Sequence, residues 1–185
     1  MSNDSAVVVK PLPAPLSGSA HVPGDKSISH RAVLFSAMAE GTSNVSGVLD
    51  SGDVRSSIGA VTALGAQVDL NVGEDGSLSG SITGWGAAGP SQPAGPIDCG
   101  NSGTTARLLM GVLAPWDITV ELTGDDSLRR RPMRRITAPL MKMGVHFEPA
   151  GKETLPIVET GTRVLRAVDY EAPMASAQLK TAVLL

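Results

Sequence analysis

Nine consecutive residues, Pro23-Gly24-Asp25-Lys26-Ser27-Ile28-Ser29-His30-Arg31, set a turn, a helix start and two cations side by side. Pro23-Gly24 breaks the extended run before them. Asp25, Ser27 and Ser29 can each accept from free backbone N–H groups, and Ala32–Ala39 reads as helix. A helix start offers N–H donors and a partial positive charge. With Lys26 and Arg31 added, it would take a phosphate or a carboxylate. A capped helix carrying two solvated cations fits these nine residues equally well.

Three further segments carry donors or cations. Gly100-Asn101-Ser102-Gly103-Thr104-Thr105 combines glycines, which admit a ligand close to the backbone, with polar side chains. It leads into a helix but lacks the Gly-Lys-Ser/Thr ending of a nucleotide-binding P-loop, so a capped helix after a turn is the plainer reading. Arg129-Arg130-Arg131-Pro132-Met133-Arg134-Arg135 holds five arginines in seven residues. Arginine grips carboxylates and phosphates through two N–H groups at once. Arg131 precedes a proline, which biases its backbone towards an extended form and makes it the most pre-organised of the five. A solvated basic loop or a nucleic-acid patch are the alternatives, although no interleaved aromatics accompany the run. In the segment from Ala175 to Lys180, Ser176 caps a helix and Gln178 offers both donor and acceptor, which ordinary capping also explains. Asp53 reads as the N-cap of a helix starting at Val54, and Asp125 and Asp126 as local neutralisers of the arginine run. No paired-carboxylate or Ser-His-Asp constellation stands out.

These residues need elements to hold them. The patterning predicts helices over Ser27–Ala39, Val54–Leu64, Thr104–Leu113, Met133–Met143 and from Ser176 onward. It predicts strands near Asn44–Leu49, Val68–Asn71, Leu78–Thr83, Ile118–Leu122, Val145–Glu148 and Leu155–Glu159. Gly65 and Gly144 suit the left-handed position past a helix end. Gly84–Pro96, rich in glycine and proline, reads as a surface loop or hairpin link. Asp53 to Val68 resembles Met133 to Phe147. Ser27/Arg31, Gly103/Arg107 and Ser176/Lys180 each place a cation four residues after a small residue that opens an apolar helix. The spacing implies an internal repeat of roughly 75 residues, and helices alternating with strands imply an α/β or α+β fold. The run from Ala175 to Leu185 carries no helix stop signal, so the chain reads as a portion of a longer one with a third unit begun.

Bulk composition narrows the functions. The chain has 185 residues, 42% hydrophobic and 18% charged, which is ordinary for a globular protein. A net charge of −3 weighs against general nucleic-acid binding, so cationic sites must be local and aimed at small anions. Cys99 is the sole cysteine, and His21, His30 and His146 are scattered, which leaves no disulfide within the chain and no zinc motif. No apolar run reaches membrane-spanning length, and no signal-peptide core is evident near Met1–Pro15, which makes a cytoplasmic protein the default.

Taken together, four segments resemble the 5-enolpyruvylshikimate-3-phosphate synthase family. They are residues 23–31, Gly-Asn-Ser-Gly-Thr at 100–104, Gly-Asp-Asp-Ser-Leu-Arg-Arg-Arg-Pro-Met at 124–133, and Pro-Met-Ala-Ser-Ala-Gln-Leu-Lys at 173–180. Order and spacing agree with the family, and Ser-Ala-Gln at 176–178 matches one bacterial branch of it. The resemblance implies two similar domains of three repeated units, with helices inside and sheets outside. Residues 1–17 would then be an N-terminal tail, with a first strand near Leu16–Val22 leading from the other domain. Residues 18–185 would form an incomplete N-terminal globular domain.

It also implies transfer of the enolpyruvyl group of phosphoenolpyruvate to the 5-hydroxyl of shikimate 3-phosphate, with release of phosphate and no metal or organic cofactor. Carried over by position, Lys26 would be catalytic and touch both substrates. Ser27, Arg31, Ser176, Ala177 and Gln178 would hold shikimate 3-phosphate. Asn101, Gly103, Thr104 and Arg131, with Gln178, would line the phosphoenolpyruvate side. Gly103 is the family position where a larger residue crowds the herbicide glyphosate. The resemblance places the acidic base and further cations in the other domain, so these residues alone should not turn over. A full-length monomer acting on small molecules, without nucleic acid or membrane, is the implied setting. Two alternatives stay open. One is the related UDP-N-acetylglucosamine enolpyruvyl transferase, whose first motif usually reads Lys-Asn where this chain has Lys26-Ser27. The other is a noncatalytic anion-binding module.

Overall fold

The computed structural model describes residues 17–185 together with residues 8, 10, 11, 14 and 15. Most of the expected tail, and Leu16 of the expected first strand, lie outside the described residues. The elements run α1 (Lys26–Met38), β1 (Thr42–Val48), α2 (Gly52–Ala63), β2 (Gln67–Val72) and β3 (Leu78–Thr83), then β4 (Ile97–Asp98), α3 (Gly103–Leu113) and β5 (Thr119–Thr123). They continue with α4 (Asp126–Arg129), α5 (Arg134–Met143), β6 (His146–Glu148), β7 (Ile157–Thr160) and α6 (Ala177–Leu184). Two elements escaped the sequence reading because they are too short to show a period: β4 and α4. A single 3-10 turn, Gly86–Ala88, interrupts the Gly84–Pro96 loop.

β1, β3 and β2 form one antiparallel sheet in the order β1-β3-β2, and the second sheet runs β4-β5-β7-β6. β4 lies parallel to β5 and the other pairs are antiparallel. The helices sit inside. Ten of the eleven residues of α3 are buried, because Gly103–Leu113 is apolar nearly all round. α1, α2, α5 and α6 all pack against it. Gly65 and Gly144 have φ of 100° and 109°, as a left-handed stop requires.

Two repeats follow one another at an offset of 77 residues. Lys26 and Gly103 open α1 and α3, and the cross-strand pairs Thr42–Thr83 and Thr119–Thr160 close equivalent strands. Gly84 donates to the Gly41 carbonyl as Gly161 does to that of Ile118. Trp85 donates to the Ala37 carbonyl as Thr162 does to that of Ala114. Residues 17–25 form no strand. Ile97–Asp98, one repeat after Ala20–His21, does pair as β4 against β5, whereas Ala20–His21 has no ladder to β1.

The offset corrects the sequence echo by one residue. The N-caps are Asp25, Ser102 and Ser176, so Arg31, Arg107 and Lys180 stand six, five and four residues past their caps. Each residue turns a helix by about 100°, and the three cations therefore point differently. Arg31 is half-buried, Arg107 is buried and Lys180 is exposed. The structural counterpart of Arg107 is His30, which is also buried.

Candidate active site

Each cationic or polar side chain of interest is placed by a helix start. Asp25 caps α1 by accepting from the Ile28 N–H at 2.8 Å. Ser29 does not cap. Its hydroxyl donates to the Asp25 carbonyl and accepts from the Leu49 N–H, tying α1 to the end of β1. Lys26 and Ser27 are left exposed on the first turn, and Lys26 Nζ donates to Asp53 Oδ2 at 2.6 Å. Asp53 is therefore not the N-cap of α2. Ser51 caps it, accepting from the Val54 N–H, because a cap must lie just outside the first turn and Asp53 lies within it. That frees the Asp53 carboxylate to meet Lys26.

Arg31 donates to the Ser27 carbonyl at 3.1 Å and to Thr181 Oγ1 on α6 at 2.8 Å. Ser176 caps α6 by accepting from the Leu179 N–H, Ala177 is exposed, and Gln178 reaches across to α3. Gln178 Nε2 donates to Thr104 Oγ1 at 2.9 Å, and its Oε1 accepts from Arg107 at 3.2 Å. Ser102 caps α3. Asn101 is fixed from both ends, donating to Asp125 Oδ2 at 2.7 Å and accepting from Arg131 at 2.6 Å. Asp125 also caps α4, so it does more than neutralise the arginines. The Asn101 amide and the Leu128 N–H hold its pKa below the usual carboxylate range.

The structure thus brings together the starts of α1, α3 and α6, which are far apart in sequence. Gly103 is needed at their junction. A Cβ there would lie 2.7 Å from an Arg107 guanidinium nitrogen and 3.3 Å from one of Arg131. The sequence reading missed the role of Arg107. The residue is only 6% exposed, and its guanidinium donates to the Pro132 carbonyl and leaves Nε without a partner among the described residues. Burial, then Arg135 and Arg131, lower its pKa. Three arginines with this little carboxylate nearby make a strong local demand for an anion. The face is open. Hollows of about 300 Å³ beside His21, Gly47 and Asp75, and of about 480 Å³ beside Arg134, Phe147 and Lys152, lie away from it. Among the described residues no three His, Cys, Asp or Glu side chains gather as metal ligands, and no helix is long and apolar enough to cross a membrane.

The family model for EPSP synthase (3-phosphoshikimate 1-carboxyvinyltransferase) matches residues 11–185. The chain belongs to the EPSP synthase family. It is 48% identical over 183 residues to the 3-phosphoshikimate 1-carboxyvinyltransferase of Paramagnetospirillum magneticum, covering 97% of this chain and 40% of the relative. The corresponding protein of Xanthomonas campestris strain B100 is 43% identical over the whole chain, covering 41% of the relative. The solved EPSP synthase of Acinetobacter baumannii superposes with a TM-score of 0.81 at 40% identity, over 90% of this chain and 37% of that one. The chain spans about two fifths of the length of the relatives it matches. Within the EPSP synthase family, helices inside and sheets outside are thus the expected arrangement for an incomplete domain. The curated relatives named above are 3-phosphoshikimate 1-carboxyvinyltransferases, not UDP-N-acetylglucosamine transferases.

Proposed function

We propose that these residues form the shikimate 3-phosphate wall, and part of the phosphoenolpyruvate wall, of a 3-phosphoshikimate 1-carboxyvinyltransferase. The observation that supports this is the hydrogen-bonded junction of α1, α3 and α6 through Arg31–Thr181 and Arg107–Gln178–Thr104. Lys26, Ser27, Arg31, Ser176, Ala177 and Gln178 face one substrate in this reading. Asn101, Gly103, Thr104 and Arg131, with Lys26 and Gln178, face the other.

In the reaction the 5-hydroxyl adds to C2 of phosphoenolpyruvate while C3 takes a proton. The hydroxyl gives up its own proton, and the tetrahedral intermediate then loses a proton from C3 and expels phosphate from C2, which re-forms the C2–C3 double bond. Both substrates are multiply anionic, so the chain's part is electrostatic: fixed cations and helix N–H groups aimed where negative charge collects. Lys26, held by Asp53, is the group placed to touch both substrates. A dry site requires a second wall closing over this open face. The reading also carries a cytoplasmic setting and a monomeric complete enzyme working on small molecules.

The test is calorimetric titration of the 185-residue chain with shikimate 3-phosphate, alongside a coupled phosphate-release assay. Weak binding that falls on Arg31→Ala, with no turnover, is expected. Robust turnover, or no binding at any concentration, contradicts the reading.

A further inference from the structure

Behind the open face lies a buried polar chain that the substrate-binding reading does not use. His30 of α1, Ser57 of α2 and Thr105 of α3 are each 0% exposed. His30 Nδ1 lies 2.8 Å from Ser57 Oγ, and Ser57 Oγ lies 2.7 Å from Thr105 Oγ1. Thr105 Oγ1 in turn donates towards Ser102 Oγ at 2.8 Å and the Asp53 backbone carbonyl at 3.3 Å. One chain of contacts therefore joins three helices, and it ends on the residue whose side chain holds Lys26.

Proton counting gives the chain a direction. A hydroxyl has one proton, and the Asp53 carbonyl can only accept. If Thr105 donates to that carbonyl or to Ser102, Ser57 must donate to Thr105, and His30 Nδ1 must donate to Ser57. The opposite direction puts the ring proton on Nε2. That atom is buried and has no partner among the described residues. A buried orphan N–H is the costlier fault, since a bare ring nitrogen forfeits only an acceptor site. The ring is neutral in either case, because burial lowers its pKa to about 4 and Lys26 and Arg31 add to this against the pull of Asp53.

We propose that His30, Ser57 and Thr105 are positioning residues for the Lys26–Asp53 pair. The His30 ring, as its Nδ1–H tautomer, heads a one-way chain of donors through Ser57 to Thr105, whose proton is shared between Ser102 and the Asp53 carbonyl, and this ties the start of α2 to α1 and α3. This rests on the binding reading above for its consequence, though not for its geometry. Without the Thr105 hydroxyl, the Ser57 proton turns to His30 Nδ1, which it already meets at 2.8 Å, and the ring proton moves to Nε2.

Long-range proton–nitrogen NMR of the 185-residue chain reads the tautomer directly. The unsubstituted chain should show Nδ1–H, Thr105→Val should shift the population to Nε2–H, and Thr105→Ser should restore it. Affinity for shikimate 3-phosphate should fall about tenfold in Thr105→Val and recover in Thr105→Ser, the loss of roughly one buried hydrogen bond. Ser57→Ala, which cuts the chain elsewhere, should weaken binding similarly and serves if Thr105→Val does not fold. Nε2–H in the unsubstituted chain overturns the direction, and wild-type affinity in Thr105→Val overturns the positioning role. If the unsubstituted chain binds no shikimate 3-phosphate, the functional reading falls and the tautomer response alone decides the relay.

Discussion

At the helix-facing position near the end of β3 the first repeat has Ile82; at the same position of β7, 77 residues on, the second has Glu159. Both are buried, at 0% and 1% exposure, and their partners on β1 and β5, Ser43 and Val120, correspond. The helices show a similar substitution, with His30 in α1 and Arg107 in α3 at one equivalent buried position. His30 has Ser57, and Arg107 has Gln178 and the Pro132 carbonyl. Both oxygens of Glu159 lack a partner among the described residues, and burial raises its pKa well above the ordinary value. A duplicated backbone thus carries different side chains into its interior at equivalent places, polar in both repeats at His30 and Arg107 and in only one at Glu159. Only those met by a neighbouring helix become part of a network.

The frame itself is the first thing to break. Gly84 follows β3 and Gly161 follows β7, and each lies on backbone carbonyls at the end of its repeat's first helix: Ser36, Ala37 and Ala39 at the end of α1, Leu113, Ala114 and Trp116 at the end of α3. No rotamer change can clear a backbone oxygen. Gly84→Ala and Gly161→Ala should each cost about 3 kcal/mol in urea unfolding, and by similar amounts. A substitution tolerated at one site alone would show that the two repeats do not share this joint.

Glu159 separates the repeats next. Glu159→Ile, which copies Ile82, should stabilise the chain at pH 7 by about 2 kcal/mol, the cost of an unpaired buried polar group. The sign with pH follows from linkage. The unfolded carboxyl ionises above about pH 4.3 while the buried one stays neutral. Its contribution is whole below that pH and is lost as pH rises towards the folded value. His30 acts oppositely. Its folded pKa of about 4 lies below the ordinary 6.5, so its contribution is present above 6.5 and lost as pH falls towards 4. Unfolding free energies across this range should lose their decline with rising pH in Glu159→Gln and keep the acid-side loss. An unchanged profile would mean that Glu159 is ionised and paired in the fold.

Much of this comparison was legible in the sequence, because helix starts and glycine stops are local signals. Ser27–Ala39 lies within one residue of α1, and Leu78–Thr83 matches β3. The cation echo slipped by one residue because spacing from a small polar residue does not reveal which residue is the cap. Asp53 was misplaced for the same reason: Ser51 and Asp53 both satisfy a capping pattern, and the Asp53 side chain is taken by Lys26, 27 residues away. Asn101–Arg131 and Arg107–Gln178 join residues 30 and 71 apart, and no periodicity in one chain records such pairs. The strand expected near 16–22 needs a ladder partner, which the family pattern supplies and residues 17–22 lack here.

Cys99 tests the closed side of the second repeat. It directly follows β4 and is fully buried, and burial, with Asp98, pushes its thiol up to about 12. Val22, one repeat earlier, is 74% exposed. A thiol reagent at pH 8 should label Cys99 only as fast as the chain unfolds, whereas Val22→Cys should label at once in the native state. Rapid labelling of Cys99 without unfolding would show that β4 frays and that the two entry segments are alike.

The smallest effect gives the finest test of equivalence. Thr42 and Thr83 hydroxyls lie 2.8 Å apart across β1 and β3, and Thr119 and Thr160 lie 3.0 Å apart across β5 and β7. Both pairs sit at the same register and on exposed faces, so neither burial nor charge distinguishes them. Double-mutant cycles with Thr→Val at each position should return a coupling of about 0.5 kcal/mol for each pair, typical of cross-strand hydroxyls. Equal couplings would mean that the sheets repeat in energy as well as in geometry. A coupling confined to Thr119–Thr160 would mean that Gln92, which bonds the Thr119 N–H and carbonyl, stiffens that sheet edge enough to hold its hydroxyls in register.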